Sequence, residues 1–296
     1  MLDSLLTEQR NPASAHIDEL ASEDILRVIN GEDQKVATAV AVEVPNIAKA
    51  VDAIVEAIRH GGRLFYIGAG TSGRLGVLDA AECPPTYNVS PELVHGIIAG
   101  GEAALARATE ATEDDPGSGR RDLFAAGFTR SDVLTGIAAS GRTPYVLGAV
   151  EGAKKLGALT IGISCTPQSE LSSVVDIAIE PLPGPEVITG STRMKAGTAT
   201  KLVLNMITTA VMVRLGHVYG NLMVNVQPKN TKLEDRARRI ISEAVPTSYE
   251  HASRLLTEAG RSVKTAIVMG QLALDRQAAE QRLSSAAGRI SEALKG

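Results

Sequence analysis

Tryptophan is absent, and only three phenylalanines and five tyrosines are spread over the 296 residues. So few rings argue against a base-stacking platform for nucleic acid and against a lectin surface built from exposed aromatics. A basic tract is missing too: 30 Lys and Arg against 34 Asp and Glu leave a net charge of −4, which speaks against a nucleic-acid partner. Cysteine is scarce. Cys83 and Cys165 are too few for a disulfide scaffold, lack metal-ligand spacing, and fit a reducing cytoplasm. The histidines, His16, His60, His95, His217 and His251, are scattered without a metal-binding pattern. No apolar run is expected to reach membrane-spanning length, and the start M-L-D-S-L-L-T-E-Q-R carries acid where a secretory leader carries base. The expectation is a cytoplasmic protein with neither membrane nor nucleic acid as partner.

What is present is ordinary for a globular chain, 44% hydrophobic and 22% charged. The length allows one large α/β domain with appendages, or two domains. The most informative stretch runs from Arg63 to Tyr87. Leu64–Ile67 reads as a buried strand, followed by Gly68-Ala69-Gly70-Thr71-Ser72-Gly73 and then a helical pattern. Such a turn places N–H groups and hydroxyls at a helix N-terminus, an arrangement suited to phosphate. It is not a P-loop, since no Gly-Lys-Ser/Thr follows. It fits G-x-G-x-x-G by letter, but no acidic residue ends a second strand roughly 20 residues on, as a dinucleotide ribose requires.

The chemistry recurs. Leu93–Ala99, Asp132–Ala138, Ala158–Ser164 and Val174–Ile179 read as further strands. After the third strand stands Ser140-Gly141-Arg142, 68 residues beyond Ser72-Gly73-Arg74. Two such turns at one sheet edge converge on one anion. A third hydroxyl-rich turn, Gly190-Ser191-Thr192-Arg193-Met194-Lys195, leads into a helix through about Leu215. Strand and helix alternate over residues 63–180, which implies a parallel three-layer sheet. Before it, residues 1–20 read as an irregular arm, Ser22–Ile29 as a short capped helix, and 34–60 as a long helix kinked at Pro45. Residues 113–121 read as a polar loop, and from Thr231 the chain is helical in pieces broken near Pro246, Gly260 and Ala273.

Two carboxylates stand out, each with a bland alternative. Glu82 precedes Pro84-Pro85, where the helix is expected to stop, and a Glu there is opposed by the helix dipole; the plain alternative is a solvated surface side chain. Glu113 sits with Glu110, Asp114 and Asp115, and an acidic run is commonly a solvated face. Arg193 and Lys195 are candidates for an anionic substrate, with surface ion pairing as the alternative.

Taken jointly, G-A-G-T-S-G-R-L-G (68–76), D-A-A-E-C-P-P-T-Y (79–87), G-I-A-A-S-G-R-T-P-Y-V (136–146), G-S-T-R-M-K-A-G-T-A (190–199), N-L-M-V (221–224) and T-E-Q-R-N-P-A-S (7–14) closely resemble the N-acetylmuramic acid 6-phosphate etherase family, within the sugar-isomerase (SIS) superfamily of phosphosugar-binding domains. One departure is Asn225, where the pattern carries Asp. The resemblance implies a flavodoxin-like αβα parallel sheet with a small C-terminal helical domain: an N-terminal arm and helix over 1–45, the SIS catalytic domain over 46–230, and the helical domain over 231–296. It implies a lyase of cell-wall sugar recycling that releases D-lactate and N-acetylglucosamine 6-phosphate, with Glu82 as proton donor and Glu113 as the second catalytic residue. Ser72, Ser140 and Thr143 match the superfamily's phosphate-holding hydroxyls, and Gly70, Thr71, Gly141, Ser191 and Thr192 complete the expected substrate-binding set. No metal or redox cofactor is required by that chemistry. A homodimer is expected, because the family forms them and because residues 34–60 and 193–215 offer more apolar helix surface than one sheet covers. A non-catalytic phosphosugar sensor, like the glucokinase regulatory protein, and an aldose–ketose isomerase remain as alternatives.

Overall fold

The structure is a computed structural model, and it describes residues 6–107, 113–226 and 231–295. Its sheet is built from β1 (Leu64–Gly68), β2 (Val94–Ile98), β3 (Val133–Ile137), β4 (Leu159–Ile163) and β5 (Ile177–Ile179). All neighbours are parallel, in the order β2-β1-β3-β4-β5. Every residue of β1 and β3 is buried, as a parallel strand covered on both faces requires. Phe65, Ile67 and Leu134 pack to one side with Val146, Ala149 and Leu171. Those partners come from α6 (Pro144–Leu156) and α7 (Glu170–Val174). On the other side Tyr66 meets α3 (Gly70–Tyr87), where a Cβ on Gly76 would lie 3.0 Å from the Tyr66 Cβ. The three layers are those the sequence predicts.

Several elements differ from expectation for physical reasons. The short helix expected over 22–29 and the first part of the helix expected over 34–60 are one helix, α1 (Ser22–Val42), with Ala21 rather than Ser22 at its N-cap, and the remainder is α2 (Val44–Arg59), with Pro45 in its first turn. A proline there gives up an N–H that has no helical partner anyway. Short α4 (Ala103–Ala106) follows β2. The polar loop over 113–121 contains the start of α5 (Pro116–Ala125), capped by Asp115 accepting from the Gly117 N–H. Its glycines look like breakers but serve packing: a Cβ on Gly119 would stand 1.8 Å from the Tyr145 carbonyl oxygen. Helix α3 continues through Pro84 and Pro85 to Tyr87, and the Asn88 N–H closes on the Pro84 carbonyl at 2.9 Å. Glu82 is therefore not at a helix end, and the dipole argument for it falls. Glu110 lies outside the described residues.

Helix α8 (Lys195–Arg214) is long and apolar enough to cross a membrane by length and composition, contrary to expectation. Here it is a core helix, with Ala199, Val203, Leu204 and Ile207 buried. Its start is fixed by charge. Lys195 is fully buried, and its Nζ donates to Glu32 Oε2 at 2.7 Å and to the Pro183 carbonyl at 3.0 Å. The Glu186 carboxylate accepts from the N–H groups of Lys195 and Ala196, each at 2.9 Å, so it caps the helix. Burial pushes the Glu186 carboxyl above its ordinary value. At Glu32 burial also opposes ionisation, but hydrogen bonds from Lys195, Lys35 and Asn11 outweigh it and hold the carboxyl at about 2. The N-terminal arm docks on the same segment: Asn11 Nδ2 donates to the Pro185 carbonyl, Ser14 Oγ to that of Val187, and Gly190 N–H to that of Thr7.

By packing the chain divides into two units, residues 1–82 with 91–208 and residues 83–90 with 209–296. The second contains a hairpin, β6 (Val218–Tyr219) and β7 (Leu222–Met223). Its helices are α9 (Thr231–Ala244), α10 (Tyr249–Glu258), α11 (Val263–Leu272), α12 (Arg276–Ser285) and α13 (Ile290–Ala293), around Ile241, Ala252, Ala266 and Ile267. Asn225, the departure from the family pattern, donates from Nδ2 to the Tyr87 carbonyl at 2.6 Å and lies 2.9 Å from His217 Nδ1. Burial holds His217 at about 4.

Glu32→Ala should destabilise the fold by about 3–5 kcal/mol, because it leaves the Lys195 ammonium buried without its counter-ion. The double replacement by Met at both positions should recover most of that loss in urea unfolding. The depressed Glu32 carboxyl contributes stability that is complete above the ordinary value of 4.5 and is lost as pH falls through about 2. Equal urea midpoints for Glu32→Ala and wild type at neutral pH would refute the structural weight given to the pair.

Candidate functional site

Strand order reverses between β1 and β3: the chain leaves β1 outward to β2, then crosses back to pair β3 on the other side. In an open parallel sheet the crevice beyond the carboxyl ends at such a point is where ligands bind. Gly68 pairs in register with Ile137, so the turns after β1 and β3 leave the sheet side by side. After β1 the chain folds back at once: a Cβ on Gly68 would lie 2.7 Å from the Gly73 nitrogen, and one on Gly73 2.6 Å from the Gly68 oxygen. α3 then begins at Gly70 (φ +53°), and its first-turn N–H groups lack helical acceptors. After β3, Gly141 (φ +67°) turns the chain so tightly that a Cβ would stand 2.2 Å from that of Ser169.

Between these turns is a cavity of about 220 Å³ lined by Gly70, Thr71, Ser72, Ala138, Ala139, Ser140 and Thr143, with Gly190 and Thr192 on one side and Thr7 and Glu8 from the arm. Glu113 lines it too. Thr143 Oγ1 donates to Glu113 Oε1 at 3.3 Å, and the Tyr145 N–H donates to the Glu113 carbonyl at 3.1 Å, which ties this residue to the start of α6. Hydroxyls and free helix-terminal N–H groups are donors matched to an anion's oxygens. Among the described residues the lining contains no Lys or Arg.

Of the expected substrate-binding set, Gly70, Thr71, Ser72, Ser140, Thr143 and Thr192 share this cavity, and Glu113 joins them. Gly141 shapes the turn behind it, and Ser191 stands beside it with its N–H on the Ile188 carbonyl. The arginines of the two Ser-Gly-Arg turns are elsewhere. Arg74 donates to the carbonyls of Ala104 and Leu105, and exposed Arg142 lines a separate hollow with Pro116 and Pro144. Lys195 is unavailable to a substrate, being buried on Glu32. The expected substrate-binding set does not include Thr7, Glu8 or Gly190, although Gly190 opens the third hydroxyl-rich turn. The only signal for the first two is the T-E-Q-R-N-P-A-S stretch, whose docking depends on carbonyls more than 170 residues away.

Glu82 stands apart. It lines a second hollow, about 280 Å³, with Leu75, Leu78, Asp79, Lys201, Leu204 and Asn205. Ten residues separate it from Ser72 along α3, about 15 Å of helix. One chain therefore does not bring Glu82 and Glu113 into one cavity. Within the hollow Asp79 is buried, which raises its carboxyl despite hydrogen bonds from Asn205 at 2.6 Å and Thr208 at 3.3 Å.

Comparison with known proteins gives a consistent answer. A family model described as the glucokinase regulatory protein N-terminal SIS domain matches residues 46–154. The chain is 56% identical over 290 residues to the N-acetylmuramic acid 6-phosphate etherase of Glaesserella parasuis serovar 5 (strain SH0165), covering 98% of this chain and 95% of that one. It is 55% identical over 293 residues to N-acetylmuramic acid 6-phosphate etherase 2 of Vibrio parahaemolyticus serotype O3:K6 (strain RIMD 2210633), covering 99% and 98%. Among solved structures, a ligand complex of an E. coli CFT073 protein superposes with a TM-score of 0.50 at 18% identity, over 68% of this chain and 97% of that one. That likeness bears on the fold alone.

Gly141→Ala should cripple the cavity, since the added Cβ meets Ser169 at 2.2 Å in a backbone conformation that disfavours any side chain. Gly70→Ala faces open space and should cost only about 1–2 kcal/mol for its positive φ. Calorimetric titration with a sugar 6-phosphate should show loss of binding for the first and retention for the second. The reverse order would contradict this reading of the turns.

Proposed function

The chain belongs to the N-acetylmuramic acid 6-phosphate etherase family, and from that premise we propose that it cleaves the D-lactyl ether of N-acetylmuramic acid 6-phosphate to N-acetylglucosamine 6-phosphate and D-lactate, in the cytoplasm, during recycling of cell-wall sugar. The 6-phosphate sits in the hydroxyl cradle between the β1 and β3 turns. In the open-chain sugar the C1 aldehyde acidifies the C2–H. Glu113 takes that proton, the C3–O bond to lactate breaks as the C2–C3 double bond forms, and Glu82 protonates the departing oxygen. Water then adds across the double bond, its oxygen to C3 and a proton to C2. Each positioned acid or base contributes roughly 10²–10⁴ in rate, and the scheme requires no metal or redox cofactor.

The observation that carries the assignment is Glu113 held on Thr143 inside the hydroxyl cradle. The distance of Glu82 from that cradle supports a homodimer in which each site takes Glu113 from one copy and Glu82 from the other. The size of the cradle points the same way: at about 220 Å³ it is smaller than the ~300–1,000 Å³ of pockets that enclose a whole ligand. The family-model match to a regulatory protein's domain keeps a binding-only role in view, and lactate release distinguishes the two readings.

In heavy water enriched in ¹⁸O, the N-acetylglucosamine 6-phosphate should carry deuterium at C2 and ¹⁸O at C3, with the lactate oxygen unlabelled. Label in lactate would establish displacement at the lactyl carbon and end the elimination scheme. Unphosphorylated N-acetylmuramic acid should be a very poor substrate, because each lost charge-assisted bond costs about 1.5–3 kcal/mol. Comparable kcat/KM for the two sugars would remove the phosphate assignment.

Mixing inactive Glu82→Gln and Glu113→Gln chains tests the shared site. Random pairing makes half the dimers mixed, each with one intact site of two, so about a quarter of wild-type activity should return. No recovery after demonstrated exchange of chains would place both carboxylates in one subunit's site.

A further inference from the structure

The proposed substrate has two anionic ends, the 6-phosphate and the carboxylate of the lactyl group. The cradle answers the first with neutral donors. Nothing in it answers the second, because its charged lining residues, Glu8 and Glu113, are both acidic. The lactyl carboxylate is attached one carbon beyond the ether oxygen that the proton donor must reach. A group that binds it must therefore flank Glu82.

The hollow around Glu82 contains one cation among its described lining residues, Lys201. Lys201 and Asn205 lie one turn apart on α8, and Asp79 and Glu82 one turn apart on α3, so each pair shares a helix face. Asp79 is engaged by Asn205 and Thr208. Lys201 makes no hydrogen bond or salt bridge to a described side chain, and its charge acts on the neighbouring Asp79, where it favours the ionised carboxylate. Its ammonium, drawn toward Asp79 but not hydrogen-bonded to it, stands in the same hollow as the proposed donor. Leu75, Leu78 and Leu204 complete the lining with apolar surface suited to the lactyl methyl. We propose that Lys201 binds the lactyl carboxylate and is the residue by which this enzyme distinguishes a lactyl ether from a neutral one. The assignment rests on the elimination reading above, with Glu82 as the donor.

The test compares two substrates, N-acetylmuramic acid 6-phosphate and the same sugar with the lactyl carboxylate converted to its neutral amide. Wild type should favour the acid by about 10- to 100-fold in kcat/KM, the span of one charge-assisted contact. Lys201→Gln should lose that factor on the acid, mainly through KM, and little on the amide, so that discrimination collapses. Lys201→Arg should restore part of it. Affinity for the product N-acetylglucosamine 6-phosphate, which lacks the lactyl group, should be unchanged in Lys201→Gln. An equal loss on acid and amide, weakened product binding, or an unchanged preference for the acid would each overturn the proposal. Failure of wild type to release lactate from the acid or lactamide from the amide would overturn the functional reading, and this assignment with it.

Discussion

The structure turns on the pairing of β1 with β3. Because Gly68 is in register with Ile137, two turns that are 68 residues apart in sequence open at the same height on the same edge. Each turn alone is a weak anion site: a helix start and one or two hydroxyls. Side by side they supply Thr71 and Ser72 from one and Ser140 and Thr143 from the other around one cavity. The glycines are constrained by this geometry, since Gly68 and Gly73 press backbone on backbone and Gly141 presses on Ser169. The third and fourth walls, Gly190–Thr192 and Thr7–Glu8, are held where they are by the arm's bonds to residues 185–190 and by the buried charges of Glu32, Glu186 and Lys195.

Charge is distributed in a way that separates binding from chemistry. The cradle is lined by hydroxyls and a helix start, with no lysine or arginine among its described residues, while Lys195 and Arg74 are engaged by the fold itself. Glu82 lies about 15 Å along α3 from Ser72, in a hollow of its own. In the proposed reaction one carboxylate takes a proton and the other gives one, and the proposed pairing of two copies would bring them together without building both into one cavity.

Much of this is legible in the sequence, and for identifiable reasons. Central parallel strands are buried on both faces, so 64–67 reads as an apolar run and 133–137 as one interrupted only by Thr135 and Gly136. Helices α10, α11 and α12 carry their own start signals in Ser248, Ser262 and Asp275, each accepting from the N–H three residues on. What sequence does not give is set by distant partners. Helix α5 hides behind glycines whose purpose is contact with α6. The prolines of α3 read as a stop because local rules cannot see that a final turn survives the loss of two N–H groups. The arm looks irregular because it is ordered by carbonyls at 185 and 187. Most residues that line the cradle can be found because they are local to the turns, whereas the separation of Glu82 from Glu113 is a matter of helix length that no motif records.

Lys195 and Lys201 show the same limit most sharply. They are six residues apart on one helix of one apolar sequence, and by residue type they are interchangeable. Six residues advance an α-helix by about 600°, which leaves the two side chains roughly 120° apart around the axis. One therefore faces the loop that carries Glu186 and reaches Glu32, where it is fully enclosed. The other faces the hollow shared with α3, where no described side chain bonds to it. Rotation about a helix axis, fixed by Ala199, Val203 and Ile207 packing into the core, decides which lysine is enclosed with Glu32 and which faces the hollow beside Glu82. That assignment follows from packing alone, and it is the reason residue type and motif point to the buried lysine rather than to the cation beside Glu82.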